Sequence, residues 1–415
     1  MNTKAWFTAV QTVAVLILLA TDPAGANTYN VDRFDDTTIG ACSQLVWDDC
    51  SLRGAIISAN NHPGDDIVRL HTGTYTLTIA GQGEDLCQTG DLDVRDNLLI
   101  LGDGPEMTVI GGAGIDRVID VRTGDHLTVR GVTITGGNVS SGSGAGIKVQ
   151  DGSLRLESCV VSGNGSATVS EGGAIYDEAY NTIDGVRIFD SWISGNTASN
   201  VSAIYTTSYL RLERSTVSGN RSTINGSAIW ARGNSSDLLN STVSNNTSAT
   251  TLGGGLRVNP GDATVRNCTF AVDNGVELEP LGGSTITIQN TLVAGACAGT
   301  GFVSLGGNLE SPGNTCGLGA ADLINVVDSM LTGLDWYGGL APVHQPRPGS
   351  PAVDEPLAGL TCSSVDQRGV SRPRDGGGSP AAICDIGAVE IAGAGELFVD
   401  GFECGFLTPW SGAAR

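Results

Sequence analysis

Between residues 126 and 295 apolar positions recur in short alternating bursts, never at the spacing of a helix. Each unit opens on a small residue followed by an apolar one: Gly146-Ile147, Ala174-Ile175, Ala203-Ile204, Ala228-Ile229 and Gly255-Leu256. An alternating strand comes next, carrying Leu154 and Leu156, Val186 and Ile188, Leu210 and Leu212, Leu238 and Leu239, and Val265. A third short strand closes the unit on a turn, VSGN, ISGN, VSGN and VSNN, ending at Asn164, Asn196, Asn220 and Asn246. An earlier unit ends at Asn138 and a later one at Gly295.

Units of roughly 20–30 residues built from three short strands and Gly/Asn corners predict a solenoid, and propeller blades need a fourth strand. The fold expected is a parallel β-helix, in which each coil hides its apolar side only by stacking on the next at about 4.8 Å. Asparagine tolerates left-handed corners, and its amide can bond the equivalent residue one coil on. Asn138, Asn164, Asn196, Asn220 and Asn246 are therefore predicted to form a ladder. Several stand in Asn-x-Ser/Thr form, which the composition of the turns already explains.

The start of the chain changes the picture. Lys4, an apolar run from Ala9 to Ala20 and Ala24-Gly25-Ala26 describe a secretory signal over residues 1–26, cleaved after Ala26. The run falls short of the ~20 residues a spanning helix needs. A secreted or cell-surface protein without a transmembrane segment is expected. Its parts are an N-terminal cap with first coils (27–125), the repeats (126–295), C-terminal coils with a cap (296–390) and a tail (391–415).

A formal charge of −22 argues against nucleic acid and anionic membranes as partners. Ten cysteines in an exported chain suggest disulfides. Cys42 with Cys50, Cys297 with Cys316 and Cys362 with Cys384 each bracket a short loop near an end of the stack. Cys159 and Cys268 occupy one slot of two repeats four coils apart, roughly 19 Å, and should not pair. Cys87 and Cys404 have no evident partner. No C-x-x-C pair exists, which argues against zinc.

The stretch CSLRGAIISANN (50–61) resembles the CSLREA motif near the start of many exported β-helix proteins, with Gly54 in place of the usual Glu. Leu52, Ala55, Ile56 and Ala59 fall on one helical face, so a short helix is predicted to plug the first coil. GSPAVD (349–354), DQRGVSRP (366–373) and CDIGAVE (384–390) resemble the C-terminal region of the choice-of-anchor Q family. The GGAI and SGN elements are also similar to repeats of polymorphic outer-membrane proteins. These resemblances imply an all-β, right-handed parallel β-helix of pectate-lyase-like type, with a short N-terminal capping helix and a loop-rich C-terminal cap. They imply secretion or surface attachment and supply no activity.

The same scaffold carries polysaccharide lyases and hydrolases, which need converging carboxylates or a Ca²⁺ site. Glu157, Asp190, Glu213 and Asn240 read as one column, offset by Arg155, Arg187 and Arg211, and so as a solvated stripe. Asp177-Glu178 meets Thr206-Thr207 in the next coil. Asp91, Asp93 and Asp96, and after them Asp65 and Asp66, are the best acidic clusters; the first is read as structural. His62, His71, His126 and His344 are expected at the surface. Asp366, Arg368 and Asp385 are expected to form a buried ion-pair clasp closing the rod. Tyr176, Tyr205 and Trp230 follow the inward isoleucines of three coils, predicting an outward aromatic ladder for a ligand. The reading is a non-catalytic adhesion or interaction protein for a surface glycan or protein, with no cofactor or metal. The alternative is a polysaccharide-active enzyme on the same scaffold.

Overall fold

The computed structural model describes residues 25–43, 45–122, 124–179, 184–224, 226–233, 235–250, 254–376 and 382–391. Most of the signal segment, Cys404 and the tail beyond Ile391 lie outside the described residues. The chain coils into a parallel β-helix. One sheet stacks eleven parallel strands, from Thr28–Asn30 to Phe302–Ser304. The second, of seventeen strands, joins the other two faces of the coil through the long strand Thr269–Pro280.

Pairing runs in register from coil to coil, so identical side chains stack: Ile175 on Ile204, and Ile204 on Ile229. These isoleucines, with Leu154, Leu156, Val186, Ile188, Leu210 and Leu212, fill one continuous core. Alternation thus decides the inside, with one exception. Leu239 pairs with outward Glu213, and Leu238 is its inward neighbour.

The predicted capping helix spans Leu52–Asn60, and Ser51 caps it by accepting from Gly54 N at 3.0 Å. Leu52, Ala55, Ile56 and Ala59 are buried as expected. Arg53 is buried too: its guanidinium binds Asp36 and donates to the carbonyls of Cys87, Gly90 and Asp91. Glycine at position 54 has a steric reason. A Cβ on Gly54 would stand 2.0 Å from the backbone oxygen of Ile39, so the 39–40 strap lies flat on the helix only because no side chain intervenes.

The three expected disulfides are formed, and Cys87, Cys159 and Cys268 are buried free thiols. The asparagine ladder runs through Asn164, Asn196, Asn220 and Asn246, each main-chain N–H bonding the next residue's Oδ1 at 3.0–3.1 Å up to Asn246. Asn138 is not a rung. The strand Thr133–Thr135 pairs with Val160–Ser162, so Gly137 faces Asn164 and donates to its Oδ1 at 2.9 Å. Asn138 instead accepts from Ser166. Asp273 ends the ladder, accepting the N–H of Asn246.

The expected acidic column also splits. Glu157 pairs with Phe189, and Phe189 with Glu213. Asp190 and Asn240 sit one residue later, at corners with φ of 50° and 47°. The arginines do align, Arg155 on Arg187 on Arg211; Arg155 and Arg211 pair with Glu157 and Glu213 as anticipated, whereas Arg187 pairs with Asp184, and Asp190 with Arg214.

The C-terminal region does more than close an end. It returns along the flank and bonds the outward threonines of successive coils. Gln367 bridges Thr216 and Thr242, at 2.7 and 2.6 Å, and the N–H of Ala388 donates to Thr269 at 3.0 Å. Asp366 and Arg368 pair at 2.8 Å inside this strap, whereas Asp385 accepts from the N–H groups of Asp354 and Ile391 and takes no part in that pair. His344 is a correction to the surface assignment. It is 2% exposed, donates from Nδ1 to Thr332 O at 2.8 Å, and accepts from Ser244 Oγ at 2.6 Å. Burial pulls its pKa down, which keeps the ring neutral.

Candidate binding site along an outward column

In the face that carries the isoleucines, each inward residue has an outward neighbour, and parallel register aligns these neighbours into one line. The line reads Asp93, Asp120, Lys148, Tyr176, Tyr205, Trp230, Arg257 and Glu279. The predicted aromatics therefore lie together and point away from the core. Tyr176 and Tyr205 stack with centroids 5.0 Å apart and planes at 15°, while Trp230 meets Tyr205 edge-on at 5.8 Å and 82°. The ladder is not flat. Tyr205, between its neighbours, is 5% exposed, while Tyr176 and Trp230 are half-buried.

Charged side chains frame the rings. Lys148 pairs with Glu178 at 2.9 Å, and Arg257 with Glu279 at 2.6 Å. Arg232 donates to the Tyr205 hydroxyl at 2.8 Å and lies 5.3 Å from the Trp230 ring centroid; Arg257 lies 5.4 Å from that centroid. Such cation–π contacts orient the indole face. Its Nε1 is buried and has no acceptor among the described residues.

At the N-terminal end of the same line, Asp93 sits on Asp120, beside Asp91 and Asp116. Burial pushes Asp91 up to about 8 and Asp93 up to about 7, and raises Asp120; Arg117 opposes the rise at Asp91 and Asp120, and Arg122 at Asp93 and Asp120. Loop 81–90 covers these acids, its Cys87 N–H donating to Asp93 Oδ2 at 2.8 Å. Asp96 bonds elsewhere, accepting from the N–H groups of Gly64 and Asn97, and Asp65 and Asp66 bind Asn97 and Asn27. The first acidic cluster thus gains Asp116 and Asp120 and loses Asp96. Asp177, next to the ladder, is buried and spends its carboxylate on Thr206, Ser208 and the N–H of Ala179.

Residues 118–316 match the family model of the right handed beta helix region. The architecture expected from the repeats, and the right hand that the resemblances imply, agree with that match. No curated protein sequence matches the chain. Among solved structures it is similar to a pectin methylesterase from carrot at 9% identity, over 70% of this chain and 82% of that one, with a TM-score of 0.31. A likeness that weak carries no argument about activity.

Sequence reasoning missed the charged ends of the line. The signal was present, because Lys148 follows Ile147 and Arg257 follows Leu256 in the same slot as the aromatics. It also missed the apolar tip of the Cys42–Cys50 loop, where Leu45, Val46 and Trp47 are exposed, the last at 87%. Among the described residues no helix is long and apolar enough to cross a membrane.

Proposed function

We propose that the chain is exported, with Asn27 as its mature N-terminus, and acts at the cell surface as a non-catalytic adhesion or interaction protein. Its outward column holds an extended partner, a surface glycan or a protein strand. The observation that carries this reading is the line Lys148-Tyr176-Tyr205-Trp230-Arg257, one outward side chain per coil and bracketed by cations. A repeat of about 4.8 Å suits a polymer lying parallel to the stack, with rings for apolar faces and cations for acidic substituents. The carboxyls of Asp91 and Asp93 lie under a loop, which speaks for binding over hydrolysis on this face.

The test is a screen of surface polysaccharides against the purified protein, with calorimetry on any hit and on Trp230→Ala. The variant should remain folded and lose about 1–3 kcal/mol of binding. Trp230 is half-buried, so its stability loss should stay well below the ~3–5 kcal/mol of a core aromatic. Release of reducing ends or unsaturated products from any bound polymer would overturn the non-catalytic reading. An Edman or mass-spectrometric N-terminus other than Asn27 in the exported protein would overturn the cleavage site.

A further inference from the structure

Asp91 and Asp93 flank inward Leu92, so both carboxyls leave the coil on one side, and Asp120 lies directly in register with Asp93 in the next coil. One oxygen from each of Asp91, Asp93 and Asp120 lies within 4.8 Å of the other two. All three residues are buried, Asp93 completely, at 0% exposure. Asp93 Oδ2 accepts from Cys87 N, but its Oδ1 is out of solvent and has no hydrogen-bond donor. Buried carboxylate oxygens are ordinarily satisfied, so this atom lacks a partner that the chain does not supply.

Charge balance points the same way. Asp116 adds a fourth buried carboxyl, with its own Oδ2 unpartnered. Three cations face the four acids: Arg117, Arg122 and Lys148, the last in register with Asp120. Arg117 Nε lies 2.6 Å from Asp91 Oδ2, an ion contact outside hydrogen-bond geometry, and Arg122 lies 3.1 Å from Asp120 but shares itself with Asp85 at 2.8 Å. Four carboxyls thus meet three cations beneath loop 81–90, two of which are shared with Asp85 and Glu178. That loop is held from the other side by Arg53, through the carbonyls of Cys87, Gly90 and Asp91.

We propose that Asp91, Asp93 and Asp120 form a structural divalent-cation site of the calcium class, which locks loop 81–90 onto the first coils. The donor set is oxygen only, without His or Cys, which selects a hard cation over zinc or copper. Ca²⁺ binds oxygens at about 2.3–2.6 Å in an adaptable shell, so one ion can touch three oxygens this close together. This departs from the metal-free expectation drawn from the sequence, in which Asp91 and Asp93 were structural by themselves and Asp120 had no part.

The full mature chain is stripped with EDTA, dialysed free of the chelator, and titrated with CaCl₂ by calorimetry at constant ionic strength, with MgCl₂ in parallel. The result expected is one Ca²⁺ per chain at sub-millimolar affinity, at least tenfold tighter than Mg²⁺. Hydrogen exchange of the 81–90 segment should slow on binding, and the melting temperature should rise. Asp93→Asn and Asp120→Asn, each checked for folding by circular dichroism, should abolish the stoichiometric site; if one fails to fold, the other decides. Diffuse, weak binding at several sites, as a net charge of −22 produces unaided, overturns the proposal. So does a stoichiometric site that survives in both folded variants.

Discussion

Replacing Asn196 with Ala removes one rung from the middle of the ladder. The Asn196 side chain accepts from Asn164 N and Nδ2, both at 3.0 Å. It donates to Val161 O at 2.9 Å, Ser194 O at 3.1 Å and Asn220 Oδ1 at 2.9 Å. Several partners keep a second contact: Asn164 Nδ2 still reaches Ile134 O and Ser162 O, and Asn220 Oδ1 keeps the N–H of Asn196. The Asn164 main-chain N–H does not, and an orphaned buried donor costs about 1–3 kcal/mol. Adding roughly 1 kcal/mol for the lost donations gives a destabilisation of about 2–4 kcal/mol. Asn138→Ala is the internal control. It removes a half-buried side chain whose partner, half-buried Ser166, keeps a second contact to Thr168, and should cost under about 1 kcal/mol. Urea unfolding followed by circular dichroism reads both, provided the slope of free energy on denaturant is unchanged between variants. Equal losses for the two variants would refute the ladder register derived from the pairing of Thr133–Thr135 with Val160–Ser162.

Two further outcomes are expected. Asp273 and Glu277 enclose two carboxyls at the ladder's end, where Asp273 Oδ2 and Glu277 Oε2 have no donor; burial raises both pKa values, with the Asp273 charge adding to Glu277. The folded state therefore keeps protons that the unfolded chain releases near pH 4, so this pair makes stability fall as pH rises towards about 7. Glu277→Gln should flatten that slope in melting temperatures taken from pH 4 to 8, and an unchanged slope would refute the assignment. Gly54→Ala drives a methyl group into Ile39 O and should destabilise the cap by about 1–3 kcal/mol, read as faster proteolysis around residues 37–60. Unaltered cleavage there would show that the 39–40 strap does not depend on the missing side chain.

The core was legible because alternation is enforced by burial at every coil: Ile175, Ile204 and Ile229 could face only inward. Corners were less legible because they were aligned by chemical type. Asp190 resembles Glu157, yet it stands two residues past inward Ile188, whereas Glu157 stands one past Leu156. Counting from the inward residue places Phe189 on Glu157 and, in the same way, Gly137 on Asn164. The aromatic ladder could be read from its slot, but its tilt could not, since the Trp230 ring is set jointly by Arg232, just past its own strand, and by Arg257 of the next coil. The buried acids needed the third dimension. Nothing in the local pattern joins Asp91 and Asp93 to Asp120, or Arg53 to the carbonyls of loop 81–90.

The strap along the flank acts as a ruler. Gln367 spans one coil step between Thr216 and Thr242, and Ala388 reaches the following step at Thr269. Solenoids lengthen in evolution by duplicating a coil, because each repeat asks only for neighbours like itself. Between Thr216 and Thr269 an added coil would shift the threonines by about 4.8 Å against a strap of fixed length and break its bonds. Coils before Trp192 carry no such constraint from Gln367 or Ala388. Lengthening by duplication is therefore open to the N-terminal half of this rod, while the C-terminal half keeps its count.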